Sequence, residues 1–378
     1  MSLIAALSLA AGTGAAADLE KLSAAAVEEL HRSVLLIDLH NDLPSYTVDG
    51  LDIGKRQSKT HTDIARLREG GVDAVFFAAW VSPKYVPRGQ AAHRLLEVID
   101  TIRHDIVARN ADQMVLALRA DDIVAAREQG KIAVLIGIEG GHAIEDSLRV
   151  LRAASDLGAR YMTLTHVNTN NWVDSEGDLN NPDVKHHGGL TKFGREVIGE
   201  MNRLGMMVDI SHVSDKAFWD VLETSSAPVV ATHSSCRSIS RITRNMTDEM
   251  IRALAGKGGV VHINFGCEFL SQASADASAY FNPALKQQKG EVPRATLADV
   301  VAHINHVVKL AGIGAVGIGS DFDGVSCVPI GLDDVSRFPN LTRALLDAGY
   351  SAQDIRKIYG ENTLRVMRAV ERTAVSVR

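Results

Sequence analysis

Side chains that can bind metal ions recur at the ends of short apolar segments along this sequence. The first segment ends in His40-Asn41-Asp42, where alternate side chains of an extended chain point the same way. One such residue alone would be interpreted as structural, because buried polar groups normally find hydrogen-bond partners. Six segments that end in this way need a common explanation, and the other five end in Glu139, His166, His212, His233 and Asp321.

A site for divalent metal ions is the chemistry that these residue types indicate. Burying many ionisable groups together is costly unless an opposite charge compensates them. Imidazole and carboxylate ligands without thiolates are typical of Zn²⁺, and Mn²⁺ or Fe²⁺ are less suitable. One catalytic zinc usually takes three protein ligands, which is fewer than the candidates present. The sequence therefore predicts two metal ions that share a carboxylate, roughly 3.5–4 Å apart.

Eight short and nearly continuous apolar segments carry or precede these polar residues. Continuous rather than alternating apolarity is typical of parallel strands that are covered on both faces. The predicted strands span residues 34–39, 74–80, 133–138, 161–165, 207–211, 229–232, 260–265 and 315–320.

Helical patterns follow or separate the strands, and this alternation predicts an α/β fold, the closed (β/α)8 TIM barrel. Polar residues at the strand ends would then converge on the C-terminal face, under the long loops 167–190, 266–294 and 324–340. An open doubly wound sheet is the alternative, but it would need a Gly-rich phosphate turn that the sequence lacks. The predicted helices span residues 62–68, 91–109, 146–157, 191–204, 215–223, 247–255, 296–310, 341–348 and 352–359.

Five motifs in this sequence resemble those of the membrane (renal) dipeptidase family of zinc dipeptidases, which are amidohydrolase-like metal-dependent hydrolases. They occur in the family's order and span residues 38–324, which is most of the chain. The motifs are HNDLP at residues 40–44, EGGH at 139–142, DISH at 209–212, THSS at 232–235 and DFDG at 321–324.

The resemblance implies a ligand set for two zinc ions. His40 and Asp42 would bind one ion, His212 and His233 would bind the other, and Glu139 would bridge the two. The family cuts dipeptides, so the resemblance implies a dipeptidase, and it suggests that a D-residue is accepted at the C-terminal position.

Three further residues correspond to positions of the family that act on the substrate. His166 would contact the substrate and stabilise the oxyanion, and Asp321 would transfer the proton. Arg244 would bind the C-terminal carboxylate, which a planar guanidinium fits bidentately. Because Arg237 and Arg241 lie nearby, a solvated basic loop is the alternative interpretation of Arg244. The family usually has an aromatic residue closely after the proline of the first motif, whereas here Ser45 comes between Pro44 and Tyr46. The resemblance therefore does not define the wall of the site near the N-terminal side of the substrate.

Bulk properties exclude some classes of function. A net charge of −6 argues against a nucleic-acid partner, and no apolar run reaches the roughly 20 residues of a membrane span. Three scattered cysteines argue against both a disulfide framework and a thiolate zinc site. A homodimer is expected from the resemblance and from the prevalence of symmetric dimers.

Residues 3–17 are small and apolar but lack a basic start, so residues 1–20 are interpreted as a signal-peptide remnant or a disordered N-terminus. This interpretation predicts a periplasmic or secreted protein, with a cytoplasmic protein as the alternative. No repeat or low-complexity linker interrupts the rest, so residues 21–378 are expected to form a single metallohydrolase domain.

Two other functions remain open at this stage. A barrel of this type could instead hydrolyse cyclic amides or lactones, or deaminate its substrate, because fold does not determine function. Many such relatives bridge their metals with a modified lysine on the fourth strand, whereas that strand here ends in His166. A protein that binds metal or peptide without catalysis is the alternative of a different class, and the retained Asp321 argues against it.

Overall fold

The apolar segments form the strands of a barrel in the computed structural model, which describes residues 23–281, residue 285 and residues 293–374. In these residues nine strands form one parallel sheet. The strands are β1 (Ile37–Asn41), β2 (Ala74–Trp80), β3 (Met114–Leu116), β4 (Ile132–Glu139), β5 (Ala159–Thr163), β6 (Met207–Asp209), β7 (Val230–Ser234), β8 (Val260–Ile263) and β9 (Val316–Ile318).

Eight of these strands follow one another around the barrel in the order β1-β2-β4-β5-β6-β7-β8-β9, and β3 pairs with β4 outside this path. The ring closes between β1 and the residues after β9. There the Asp42 amide donates to the Phe322 carbonyl at 2.9 Å, and the Asp321 amide donates to the His40 carbonyl at 3.0 Å. The closure therefore brings two of the candidate site residues, Asp42 and Asp321, to adjacent backbone positions.

Helices surround the barrel, and several begin with the side-chain caps that the sequence supplies. Thr191, Ser214 and Thr247 each accept a hydrogen bond from a backbone amide in the first turn that follows. The helices are α1 (Ala24–Ser33), α2 (Pro44–Thr47), α3 (Ile64–Glu69), α4 (Ala91–Thr101), α5 (Ala120–Glu128), α6 (Leu148–Asp156), α7 (Lys192–Leu204), α8 (Asp215–Thr224), α9 (Asp248–Gly256), α10 (Cys267–Leu270), α11 (Gln272–Ala277), α12 (Leu297–Ala311), α13 (Phe338–Asp347), α14 (Ala352–Arg356) and α15 (Asn362–Thr373).

The prediction of a closed barrel of parallel strands is confirmed, and each predicted strand is present with ends that shift by a few residues. The helix predicted over residues 91–109 is divided in the structure. Helix α4 ends at Thr101, and a π-helical segment at Ile102–Val107 follows it directly. Helices α1, α5 and α15 and the short strand β3 were not predicted. Among the described helices none has the length and apolar character that a bilayer span requires. The signal-peptide interpretation of residues 1–20 lies outside the described residues.

The three cysteines were expected not to form a disulfide framework, and among the described residues there is a single disulfide, which the sequence did not predict. Cys267 and Cys327 form a disulfide across a sequence separation of 60 residues, and Cys236 is free and buried. The pairing follows from the barrel, because these cysteines lie in the loops that follow the neighbouring strands β8 and β9. The Cys267 amide also donates to the Cys327 carbonyl at 3.0 Å. Linear spacing did not indicate that the two loops are adjacent.

Candidate metal centre

The candidate metal ligands all lie at the C-terminal ends of barrel strands. His40 and His233 are within β1 and β7, Glu139 is the last residue of β4, and His212 follows β6. Asp42 follows β1 directly, and its side chain is buried like most of the others. The parallel arrangement thus brings five residues from four strands to one mouth of the barrel, as the sequence predicts.

Glu139 lies at the centre of this group, with its two carboxylate oxygens facing different imidazoles. Its Oε1 is 3.2 Å from His212 Nε2 and 3.4 Å from His233 Nε2. Its Oε2 is 3.7 Å from His40 Nε2, which is itself 3.2 Å from Asp42 Oδ2. A carboxylate that faces two ligand groups in this way is suited to bridge two cations.

The second ring nitrogens of two histidines are fixed by neighbouring hydroxyls. His40 Nδ1 is 2.8 Å from the Tyr161 hydroxyl. The Tyr161 ring reaches this place because Gly137 in β4 has no side chain, and a Cβ there would collide with the ring. His40 Nε2 is buried and has no hydrogen-bond partner among the described residues. An imidazole held this way presents an unused nitrogen to the centre, which is the geometry of a metal ligand.

His233 is held by a chain of hydrogen bonds that determines its tautomer. The Thr232 hydroxyl donates to Asp209 Oδ2 at 2.6 Å, and Thr232 Oγ1 is 2.7 Å from His233 Nδ1. Because the only proton of this hydroxyl goes to the carboxylate, the imidazole must donate from Nδ1 to Thr232 Oγ1. The neutral ring therefore keeps a lone pair on Nε2, the nitrogen that faces Glu139.

The protonation states of Glu139, His212 and His233 match those of metal ligands. Burial holds the pKa of His212 and of His233 well below the usual range, so both rings are neutral. Burial alone would raise the pKa of Glu139, but the surrounding imidazoles outweigh it and hold the pKa well below its usual range. Neutral imidazoles and an ionised carboxylate are the states that bind a divalent cation without first releasing a proton.

His40 differs from the other two histidines. Burial would lower its pKa, but the Tyr161 hydroxyl and the facing carboxylates outweigh burial and raise the pKa well above the usual range. The electrostatics around β1 thus favour a positive charge beside Asp42. The residues present therefore fit a divalent cation in their donor atoms, their burial and their charge.

Asp321 lies against this group in a strained backbone conformation. It has a φ of 60°, in the left-handed region that side chains other than glycine rarely adopt, and His212 likewise has a φ of 70°. Asn264 donates to Asp321 Oδ2 at 2.6 Å. Burial and the negative charge of Asp42 raise the pKa of Asp321 well above its usual range. A carboxyl group that holds its proton more readily than usual is suited to carry a proton.

Gly324 allows the two carboxylates to approach the chain after β9. A Cβ at this position would collide with the carboxylate oxygens of Asp42 and Asp321. The glycine of the DFDG motif therefore has a steric role in the centre. Asp323 accepts a hydrogen bond from the His61 amide at 2.6 Å and so anchors the loop after β1.

A cavity of about 450 Å³ opens above the group and connects it to the substrate-side candidates. His166 and Arg244 line this cavity together with Asp321 and Glu139. His166 Nε2 is 4.0 Å from Glu139 Oε1, and burial lowers the pKa of His166, so the ring is neutral. The cavity thus combines the possible ligands with the residues predicted to contact a substrate.

Arg244 is a buried residue of the cavity wall, and the alternative of a solvated basic loop is wrong for it. Its Nη1 donates to Ser234 Oγ at 2.9 Å and its Nη2 donates to the His233 carbonyl at 3.0 Å. Its Nε is buried and has no partner among the described residues. Strand β7 thus fixes a guanidinium at the cavity, with N–H groups left to bind an anion.

Some residues that shape the centre were not identified from the sequence. Tyr161, Asp209 and Asn264 bind the candidate residues or their partners. Each is a polar residue within or directly beside an apolar strand segment, and this signal could have located them. Trp80 lines the cavity, whereas Trp172 is fully buried in the core. His142 Nε2 contacts the Val81 carbonyl at 2.7 Å.

The chain is a (β/α)8 barrel with imidazoles and carboxylates at the C-terminal ends of its strands. This fold and site are those of a metal-dependent hydrolase. The chain matches the family described as membrane dipeptidase (peptidase family M19) over residues 24–378. It is 37% identical over 366 residues to dipeptidase verJ of Clonostachys rogersoniana, covering 93% of this chain and 88% of that protein. The chain belongs to the membrane dipeptidase family, and it is a metallo-dipeptidase that hydrolyses peptide bonds.

Other relatives agree with this assignment. An uncharacterized dipeptidase of Schizosaccharomyces pombe is 34% identical over 370 residues, covering 93% of this chain and 84% of that protein. The crystal structure of the probable dipeptidase PvdM from Pseudomonas aeruginosa superposes with a TM-score of 0.83 at 25% identity, covering 93% and 99% of the two chains. A metallo peptidase of Rhodobacter sphaeroides, liganded with a phosphinate mimic of the dipeptide L-Ala-D-Ala, has a TM-score of 0.77 at 25% identity, covering 89% and 99%.

Proposed function

We propose that this metallo-dipeptidase uses two zinc ions bridged by Glu139. The observation that carries the proposal is the orientation of Glu139, whose Oε1 faces His212 and His233 while its Oε2 faces His40. His40 and Asp42 would hold one zinc, and His212 and His233 would hold the other. All the donor atoms are nitrogen or carboxylate oxygen, which suits zinc.

The bound zinc ions would supply a water molecule of lowered pKa and Lewis-acid polarisation of the scissile carbonyl. The chain's own residues would do the rest. Asp321 lies beside Asp42 and would accept the proton of the attacking water and then donate it to the leaving amine. His166 has a neutral ring at the cavity wall and would donate a hydrogen bond to the developing oxyanion.

The substrate is a dipeptide with a free C-terminal carboxylate, and Arg244 would bind that group. The guanidinium is buried and fixed by β7, so a carboxylate that reaches it forms charge-assisted hydrogen bonds at a low entropic cost. A cavity of about 450 Å³ that is lined in part by this arginine suits a short peptide.

Acceptance of a D-residue at the C-terminal position is a further part of the proposal. It is supported by the Rhodobacter sphaeroides relative, whose structure holds a phosphinate mimic of L-Ala-D-Ala. Turnover of L-Ala-D-Ala by the purified protein would bear this out, and turnover of L-Ala-L-Ala alone would contradict it.

We also propose that the protein functions as a homodimer in an oxidising compartment, either periplasmic or extracellular. The compartment is supported by the Cys267–Cys327 disulfide, because disulfides persist mainly in secreted and periplasmic proteins. The dimer rests on the prevalence of twofold assemblies among soluble proteins. Light scattering of the purified protein would test it, with a monomer as the contradicting result.

The test of the substrate assignment compares a dipeptide with its C-terminal amide in wild type and in Arg244→Lys. We expect the variant to lower kcat/KM for the free acid by about 100-fold, because lysine cannot form the bidentate contact. For the amide, which lacks the carboxylate, the loss should be much smaller. Arg241→Lys is a matched control, because Arg241 is exposed in the same loop. Equal losses for acid and amide would overturn the role of Arg244.

A substrate panel tests the reaction class. Turnover of lactones or cyclic amides without turnover of dipeptides would show a different hydrolase on the same barrel. Binding of dipeptides without turnover in zinc-replete protein would show a non-catalytic binder.

A further inference from the structure

We propose that Phe269, Tyr280 and Phe281 form an aromatic wall that receives the side chain of the substrate's C-terminal residue. The enzyme would then prefer dipeptides whose C-terminal residue is large and apolar. This inference rests on the proposed function, because it takes Arg244 as the site of the C-terminal carboxylate.

The three rings of the aromatic wall form one contiguous surface along the cavity. Phe269 and Phe281 meet edge to face with ring centroids 5.9 Å apart, and Tyr280 and Phe281 meet in the same way at 4.7 Å. All three residues line the cavity that contains Glu139 and Asp321. Edge-to-face packing leaves ring faces available, and such faces bind apolar or aromatic groups well.

Arg244 joins the aromatic wall to the carboxylate site. Its Cζ lies over the Phe269 ring at 5.4 Å from the ring centroid. In any amino acid the Cβ is about 2.5 Å from the carboxylate carbon, by standard bond lengths and angles. A carboxylate bound at Arg244 therefore places the first side-chain atom within reach of the same wall. The C-terminal residue of the substrate therefore supplies both the carboxylate that binds Arg244 and the side chain that contacts the aromatic rings.

The exposure of Tyr280 supports the proposal that a substrate side chain packs against the aromatic wall. Its side chain is 62% exposed, although it is a large aromatic residue at the mouth of a cavity. An apolar side chain that packs on Tyr280 would remove that area from water and so contribute to binding. Val325 lines the cavity from the loop after β9, and the disulfide between Cys267 and Cys327 ties that loop to the one that carries Phe269.

The charges near the wall disfavour an acidic side chain at this position. Glu176 lies near enough to interact with both Arg244 and Tyr280, and Glu268 lines the cavity beside Phe269. Arg244 is the only arginine among the described residues that line the cavity, so a carboxylate in the substrate side chain would face these groups with no second arginine of that lining to pair with. A cationic side chain could pair with Glu268 instead. A comparison of Ala-Lys with Ala-Phe distinguishes a cationic from an apolar side chain at this position.

The experiment measures kcat/KM for Ala-Ala, Ala-Leu, Ala-Phe, Ala-Lys and Ala-Asp in both C-terminal configurations. We expect Ala-Phe to exceed Ala-Ala by about tenfold or more in the configuration that is turned over faster, and Ala-Asp to be the slowest. In Phe281→Ala and Tyr280→Ala the ratio of Ala-Phe to Ala-Ala should fall by about tenfold. Because the ratio is internal to each variant, it does not depend on the fraction of folded enzyme.

Trp219→Ala is the control, because Trp219 is a 41% exposed aromatic residue on α8 that does not line the cavity. It should leave the ratio unchanged. Equal rates for Ala-Ala and Ala-Phe, a preference for Ala-Lys, or an unchanged ratio in both wall variants would overturn the aromatic wall while leaving the dipeptidase intact. No turnover of any dipeptide would instead overturn the proposed function.

Discussion

Two of the candidate ligands, His40 and His233, depend on a partner that fixes the ring nitrogen facing away from the centre. The Tyr161 hydroxyl contacts His40 Nδ1, and Thr232 with Asp209 determines the tautomer of His233. Such partners orient the ring and leave the other nitrogen free, and removing one typically lowers metal affinity 10- to 100-fold. At the residue scale, the centre therefore extends beyond the atoms that would touch a metal.

Tyr161→Phe tests this dependence. The substitution keeps the ring that fills the space beside Gly137 and removes only the hydroxyl, so His40 loses its fixed orientation. We expect zinc affinity, measured by competition with a chromophoric chelator, to fall by about tenfold. The matched control is Tyr359→Phe, which removes a buried hydroxyl that contacts Thr342 elsewhere in the core. If both variants bind zinc as tightly as wild type, the hydroxyl does not orient His40.

The candidate residues of the centre could be predicted from the sequence better than their partners. His212 and Glu139 stand out because six apolar segments end in a residue that can bind a metal, whereas one such residue alone would be interpreted as structural. Asp209 and Tyr161 could not be assigned in this way, because their roles depend on which strands are neighbours. The aromatic wall was also missed, because Phe269 and Tyr280 lie in a long loop whose path no periodicity predicts.

At the scale of elements, the loops after β8 and β9 are tied together where they border the cavity. Cys267 and Cys327 join them, and Glu268, Phe269, Val325 and Ser326 beside these cysteines line the cavity. A crosslink that closes a loop of about 60 residues restricts the unfolded chain and so stabilises the folded one.

The double variant Cys267→Ser/Cys327→Ser should lower the free energy of unfolding by about 2–4 kcal/mol. Urea denaturation measures this difference. A reducing agent should lower the stability of wild type by a similar amount and should leave the double variant unchanged. Equal stability of oxidised wild type and the double variant would show that the crosslink adds nothing to the fold.

The strands were predicted more reliably than the helices because their apolar segments are continuous. Strand β2 has the predicted bounds, and the others shift by a few residues where polar site residues extend or shorten the pairing. Helix α15 was missed, although its buried face of Val366, Met367 and Val370 packs in the same core cluster as Phe76. The sequence did not predict that the two loops carrying Cys267 and Cys327 are adjacent, and it did not predict the role of Asp209. Both depend on which strands are neighbours in the barrel, and a short stretch of sequence does not contain that information.

At the scale of the whole molecule, a histidine buried in the barrel makes the free energy of unfolding depend on pH. His262 in β8 is fully buried between the Ala231 carbonyl at 2.9 Å and the Thr363 hydroxyl at 3.0 Å. Burial lowers its pKa to about 3 from an ordinary value of 6.5. The unfolded chain binds a proton here at higher pH than the folded chain does, so stability falls as the pH drops from about 6.5 towards 3.

The variant His262→Gln should therefore lose less stability on acidification. Between pH 7 and pH 5 the free energy of unfolding of wild type should fall by about 2 kcal/mol more than that of the variant. Urea denaturation at the two pH values gives both quantities. His93→Gln, at an exposed position on α4, is the control and should keep the pH dependence of wild type. The same pH dependence in His262→Gln would contradict the buried neutral imidazole.

Strand order in the closed barrel brings the candidate ligands together from positions up to about 190 residues apart in the sequence, between His40 and His233. The prediction of a single site from six separate segments depended on this closure, and the fold supplies it. The whole barrel therefore holds Glu139 between two groups of candidate ligands.

X-ray diffraction from crystals of the zinc-loaded protein, at wavelengths on either side of the zinc absorption edge, tests this arrangement most directly. The account predicts two anomalous peaks about 3.5–4 Å apart with the Glu139 carboxylate between them. One peak should lie beside His40 and Asp42 and the other beside His212 and His233. A single peak, or two peaks with Glu139 turned away from them, would contradict the proposed centre.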